Sequence, residues 1–117
     1  MADKDDLGRA GERYARQWLQ RRGWAIVDAN WRCRQGEIDI VASRGKELVF
    51  FEVKTRSSTR FGYPVEAISS AKLARLRRLV GLWLADHPHH RGRIRLDLIG
   101  IITGGPAPIV QHVEGIG

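Results

Sequence analysis

The stretch that decides the fold is Gly36-Glu37-Ile38-Asp39-Ile40-Val41-Ala42-Ser43-Arg44-Gly45-Lys46-Glu47-Leu48-Val49-Phe50-Phe51-Glu52-Val53-Lys54-Thr55. Two β-rich runs flank Ser43-Arg44-Gly45-Lys46, which is the signature of a hairpin: one strand over 37–42 and another over 47–55. Side chains on a strand alternate faces. Leu48, Phe50, Glu52 and Lys54 therefore share one face of the second strand, and Val49, Phe51 and Val53 share the other. Both faces begin apolar, so this strand is expected at the centre of a sheet, covered on both sides. An acid and an amine at the end of a buried strand need a cleft, an ion pair or a cation, because an unpaired buried charge is costly.

The partner strand supplies a second acid. A turn centred on Arg44-Gly45 sets Asp39 opposite Phe50 and Glu37 opposite Glu52, leaving Asp39 diagonal to Glu52. One step of slip on each strand sets Asp39 directly opposite Glu52 instead. In both registers Asp39, Glu52 and Lys54 share a face. Two carboxylates there form a hard oxygen site suited to Mg²⁺ or Mn²⁺ rather than zinc, with the Val53 carbonyl as a third ligand.

Outward from this hairpin the chain reads as helix, three strands, helix, strand. Residues 6–22 carry Leu7, Ala10, Tyr14, Ala15, Trp18 and Leu19 at helical spacing, with Asp5 or Asp6 as cap and Gly23 as terminator. Trp24 to Asp28 reads as a short strand. Residues 55–64 form a polar loop, and Ser70 to His87 a second helix with Leu73, Leu76, Val80, Trp83 and Leu84 on one face. Arg93 to Ile102 alternates as a strand, and Ile109 to Val113 reads as a final edge strand. The first three strands can form an antiparallel meander, and the second helix is then a crossover to a parallel strand. An α/β sandwich follows, a mixed sheet flanked by helices. At 117 residues, with no repeat or linker, one domain spanning 1–117 is expected.

Glu12 lies at the flank of the first helix's apolar stripe, from where it can reach the polar end of the sheet; the alternative is a surface pair with Arg9 or Arg16. Composition admits two readings, a polyanionic partner (nucleic acid before membrane) or arginine side chains that are simply solvated. The net charge is +7, and sixteen of the 20 cations are Arg, whose planar fork suits phosphate. Arg56, Arg60, Phe61 and Tyr63 interleave charge and aromatic rings in the loop after the acid-bearing strand, a pattern suited to gripping a nucleic-acid backbone. Lys72 and Arg75 share a flank of the second helix and can face the same partner, whereas Arg77 and Arg78 are expected in solvent. Arg32 and Arg34, around Cys33, are expected at the cleft entrance. Arg95 and Asp97 share a strand face and are expected to form an ion pair beside the site. His87, His89 and His90 lack a matched cysteine pair and read as a solvated loop rather than a zinc site. The four Trp residues are core candidates, Trp31 being the one open to exposure. The lone Cys33, the polar N-terminus and the absence of any apolar run of about 20 residues lead to the expectation of a cytoplasmic protein with no membrane partner.

The run Gly36-Glu37-Ile38-Asp39, followed thirteen positions after Asp39 by Glu52-Val53-Lys54-Thr55-Arg56, resembles the YraN-type bacterial family. That family resembles a branch of the restriction-endonuclease-like superfamily, which includes archaeal Holliday-junction resolvases. The resemblance runs from Glu12 to Arg95-Leu96-Asp97, with Asn30, Phe61-Gly62, Pro64 and Lys72 also falling on the pattern. It implies an αβββαβ core, with Asp39 and Glu52 as metal-binding acids, Lys54 as catalytic lysine and Glu12 as auxiliary acid. The expected activity is a Mg²⁺- or Mn²⁺-dependent endonuclease acting on structured or branched DNA. Its rival is a nucleic-acid-binding module with the nuclease fold and no turnover. A resolvase would need two sites, hence a homodimer.

Overall fold

The computed structural model describes residues 4–58, 60, 62–64 and 68–117. Helix α1 (Lys4–Arg21) is followed by strands β1 (Ala25–Cys33), β2 (Gly36–Arg44) and β3 (Glu47–Arg56), helix α2 (Ser70–Asp86), and strands β4 (Arg93–Ile102) and β5 (Ile109–Val113). The sheet order is β1-β2-β3-β4-β5. β1, β2 and β3 are antiparallel neighbours, β3 and β4 are parallel, and β5 returns antiparallel on β4. This is the αβββαβ arrangement expected, an α/β fold with β5 added at the edge.

The sheet separates two apolar layers. Ala15 and Leu19 of α1 pack with Trp24, Ile40, Ala42, Val49, Phe51 and Val53 on one face. Leu76, Leu79 and Trp83 of α2 pack with Ile38, Val41, Leu48, Phe50 and Leu96 on the other. Alternation along β3 is thus as expected, and Phe50 and Phe51, both 1% exposed, point to opposite layers. Leu79, buried in α2, was absent from the expected apolar face. Trp31 is half-buried against the α2 layer.

α1 starts at Lys4, so Asp5 and Asp6 lie in its first turn rather than capping it. Its other end is a Schellman turn: Gly23, at φ 87, donates to the Gln20 carbonyl and Trp24 to that of Leu19. Midway, Gly11 brings the helix against β3. A Cβ there would lie 1.8 Å from Thr55 Oγ1, so only glycine allows this approach, and the next residue, Glu12, is carried to the sheet with it.

β1 is longer than the sequence indicated, running on to Cys33. The register shift between Ile26 and Asp28 inserts a bulge at Val27, and Asn30 at φ 53 rotates the strand again. Such interruptions break the alternation that marks a strand in sequence. The β2–β3 register also differs from the first of the two expected. The terminal pair is Arg44 with Glu47, so the turn is Gly45-Lys46, with Gly45 at φ 59 supplying the left-handed position. Continued from Ile40–Phe51, this register sets Asp39 opposite Glu52, the slipped alternative.

Candidate functional site: a carboxylate cluster where β2 and β3 part

The last ladder pair of β2 and β3 at this end is Ile40 with Phe51. Beyond it the Asp39 carboxylate accepts the Val53 N–H through Oδ2 at 2.8 Å, so a side chain takes a backbone donor of the central strand. N–H and C=O of one residue in an extended strand point to the same edge; the Val53 carbonyl therefore faces the side where Asp39 lies. β2 rotates here as well. Ile38 and Ile40 would share a face in a regular strand, yet Ile38 packs in the α2 layer and Ile40 in the α1 layer. The rotation lies across from Asn30, and it opens the sheet end to groups from both layers.

Four carboxylates meet there. Oxygens of Glu12, Glu37 and Asp39 lie within 4.8 Å of one another. Asn30 Nδ2 donates to Glu12 Oε1 at 2.5 Å and to Glu37 Oε1 at 3.0 Å. Its amide thus holds an acid from α1 beside an acid from β2. Glu52 is buried at 8% exposure and hydrogen-bonds Asp39. Burial first, then the hydrogen bond and like charge of Glu52, push the Asp39 carboxyl up to about 9. Burial also raises Glu12, with the charge of Glu37 adding to it against the hydrogen bond from Asn30. At about 9, the Asp39 carboxyl retains its proton at neutral pH unless a cation replaces it.

The α2 layer brings the opposing charge. Ser69 caps α2, accepting from Lys72 N–H at 3.1 Å, and this fixes Lys72 in the first turn above β3. Its Nζ lies 3.3 Å from Glu52 Oε2. Lys54, two positions beyond Glu52 on the same face, is held below the ordinary ammonium range by Lys72, with burial second. Gly36, Glu37, Asp39, Glu52, Lys72 and Arg75 line a cleft of about 220 Å³ floored by Leu76 and Leu79.

The donor set fits a hard divalent ion. All the side-chain donors are carboxylate oxygens, with a carbonyl facing the same edge, and neither His nor Cys belongs to the cluster. Asp39, Glu52, Val53, Lys54 and Glu12 are therefore brought to one place. Glu37 is a site residue that sequence reasoning did not assign. The pairing that set it opposite Glu52 depended on a register that does not form, although its spacing of two from Asp39 was an available signal.

The proposed basic contacts divide. Arg75 is exposed on the cleft wall, whereas Lys72 is engaged with Glu52. Arg32 is exposed and pairs with Glu37 at 3.4 Å, flanking the cluster. Arg34 is exposed in the turn between β1 and β2 and is not among the cleft-lining residues. The Arg56 carbonyl is bound by Thr103 N–H at 2.8 Å, and Arg60 is exposed. Tyr63 is 48% exposed, and Phe61 lies outside the described residues.

Two expectations are corrected. Arg95 and Asp97 do pair, at 2.8 Å, but not beside the site. Asp97, on β4 opposite Phe51, binds His112 Nε2 at 2.8 Å and Gly115 N–H at 2.9 Å, while Arg95 also pairs with Glu47 and Glu114. The group fastens β5 and the C-terminal residues to the sheet. His87 is not simply solvated: it stacks on Trp83 at 3.9 Å and donates from Nδ1 to the Trp83 carbonyl at 2.7 Å. His89 and His90 are exposed, as expected.

A family model described as "Uncharacterised protein family UPF0102" matches residues 11–101, a span that contains every residue of this cluster. A UPF0102 protein of Beutenbergia cavernae is 49% identical over 118 residues, covering 100% of both chains. One from Frankia alni is 49% identical over 98% of this chain and 97% of its own. A third, from Leifsonia xyli subsp. xyli, is 47% identical over 99% of each. The chain thus belongs to the uncharacterised protein family UPF0102, the YraN-type family that its Glu37-Ile38-Asp39 and Glu52-Val53-Lys54 runs resemble.

Proposed function

We propose that the protein is a divalent-metal-dependent endonuclease that hydrolyses phosphodiester bonds in structured or branched DNA. The observation that carries this reading is the convergence of Glu12, Glu37, Asp39 and Glu52 from three elements, with Lys54 on the same face as Glu52. Structural acids are normally paired one by one with cations; here Asp39 lies against a second carboxyl, that of Glu52, which itself pairs with Lys72. Asp39, Glu52 and the Val53 carbonyl would hold Mg²⁺ or Mn²⁺, with Glu37 and Glu12 on the Asp39 side. The bound ion would supply electrophilic stabilisation of the phosphate and a lowered pKa for water.

The chain's own residues do the rest. Asn30 holds Glu12 and Glu37 in place, so that the donors are set before substrate arrives. Lys54, held below the usual ammonium range by Lys72 and by burial, gives up a proton more readily than a surface lysine. It would orient the attacking water and balance charge as the bond to phosphorus forms in line and the bond to the 3′ oxygen breaks. Arg75 and the surplus of arginine over the chain supply phosphate contacts.

The test is incubation with branched, flapped and linear DNA plus Mg²⁺ or Mn²⁺, for wild type, Asp39→Ala and Lys54→Ala. The reading expects metal-dependent cleavage of branched substrates that both substitutions reduce by about 10² or more. Wild-type DNA binding with a steep salt dependence but no cleavage under any condition would instead identify a binding module.

A further inference from the structure

Lys72 breaks a local rule. A helix N-terminus carries partial positive charge and favours acids, yet α2 has no acid in its first turn and places a lysine there. That lysine is directed inward: its side chain is 20% exposed and Nζ sits 3.3 Å from Glu52 Oε2, whose side chain is 9% exposed. It also crowds Lys54, another cation. Two unfavourable terms, the helix end and the neighbouring ammonium, are tolerated for one contact with a carboxylate of the proposed metal site. Arg75, one turn on along the same helix, lines the same cleft but stays exposed. A lysine recruited for phosphate alone would have no need to reach Glu52.

We propose that Lys72 is a tethered stand-in for the divalent cation. It neutralises Glu52 in the metal-free protein and yields that carboxylate to the ion. The freed ammonium then stands beside Arg75 on the cleft wall, where a phosphodiester would lie. Ion binding and exposure of a substrate-facing charge are thereby coupled through one side chain. This rests on the metal-dependent reading above, since it assumes that Glu52 is a ligand.

The experiment is calorimetric titration of the full-length protein with MnCl₂, without DNA, for wild type, Lys72→Met, Lys72→Gln, Lys72→Arg and Arg75→Met. Removing the competing charge at Lys72 should tighten Mn²⁺ binding about tenfold in both neutral variants, the equivalent of about 1.4 kcal/mol. Lys72→Arg should restore wild-type affinity within about threefold, and Arg75→Met should change it by no more than that, since a rim charge is screened. In the metal-free state the neutral variants should melt below wild type, because Glu52 loses its partner, and Mn²⁺ should raise their melting temperature by more than it raises that of wild type. If wild type binds Mn²⁺ and the neutral variants bind it no more tightly, the stand-in role is overturned while the metal site stands. If neither wild type nor any variant binds Mn²⁺, the metal-dependent reading falls and takes the stand-in role with it. An equal gain in Arg75→Met would reduce the effect to general cleft electrostatics and overturn the specific role of Lys72.

Discussion

Replacing Asp39 by asparagine separates the electrostatic cost of the cluster from its shape. The Asp39 carboxyl is pushed from its ordinary 3.8 up to about 9 by burial and by Glu52. The folded chain then binds a proton that the unfolded chain releases throughout that interval. Stability therefore falls as pH rises through the window, because the folded state holds more protons there than the unfolded one. The full effect is roughly 1.4 kcal/mol per pH unit, or about 4 kcal/mol between pH 5 and 8. Asparagine keeps both bonds of the protonated acid: its oxygen can accept the Val53 N–H and its amide can donate to Glu52. It carries no titrating proton. Urea denaturation of both chains in EDTA at pH 5, 6.5 and 8 should show the Asp39→Asn variant gaining on wild type by about 2–4 kcal/mol across the series. Comparing the two chains removes Asp97, whose carboxyl is held low by His112 and Arg95 against the penalty of burial and whose contribution is lost only in acid, below its ordinary 3.8. Excess Mn²⁺ should close the gap by stabilising wild type, since the ion takes the place of the proton. A stability difference that stays constant from pH 5 to 8 would refute the reasoning, because it would mean that Asp39 ionises normally in the fold.

Gly11→Ala should destabilise by about 1–3 kcal/mol in urea, since its Cβ would meet Thr55 Oγ1 at 1.8 Å; the gain of about 1 kcal/mol usual for this change inside a helix would contradict the packing described. Asp97→Ala leaves Arg95 and His112 without their buried partner and should cost about 3–5 kcal/mol. Its Mn²⁺ affinity should match wild type, and a loss of affinity would tie that network to the site. Trp83→Phe removes the donor to Asp28 Oδ2, at 2.9 Å from a fully buried indole. It should cost about 2–4 kcal/mol by denaturation. A change under about 0.5 kcal/mol would show that Asp28 finds another donor.

The face assignment on β3 and the identities of Asp39, Glu52 and Lys54 were legible because they depend on one short-range fact, the two-residue period of a strand running through an apolar run. The end of α1 was legible for a similar reason, since Gly23 is the residue that tolerates the left-handed turn. The register was not, because Arg44-Gly45 and Gly45-Lys46 are both acceptable turns in sequence, and the two registers leave every side chain on the same face, so alternation along the strands does not select between them.

What the sequence determined by itself, then, was which residues could do chemistry and on which side of one strand they stood. Tertiary structure decided their company. The rotation of β1 and β2 at Asn30 and Asp39 lets α1 and α2, on opposite faces of the sheet, deliver Glu12 and Lys72 to one opening. No periodicity encodes that, because it arises where two strands part and each layer offers a side chain to the gap. Glu37 entered the cluster, and Asp97 left its expected place near it, for the same reason: long-range packing, not spacing along the chain, sets which charges must neutralise one another.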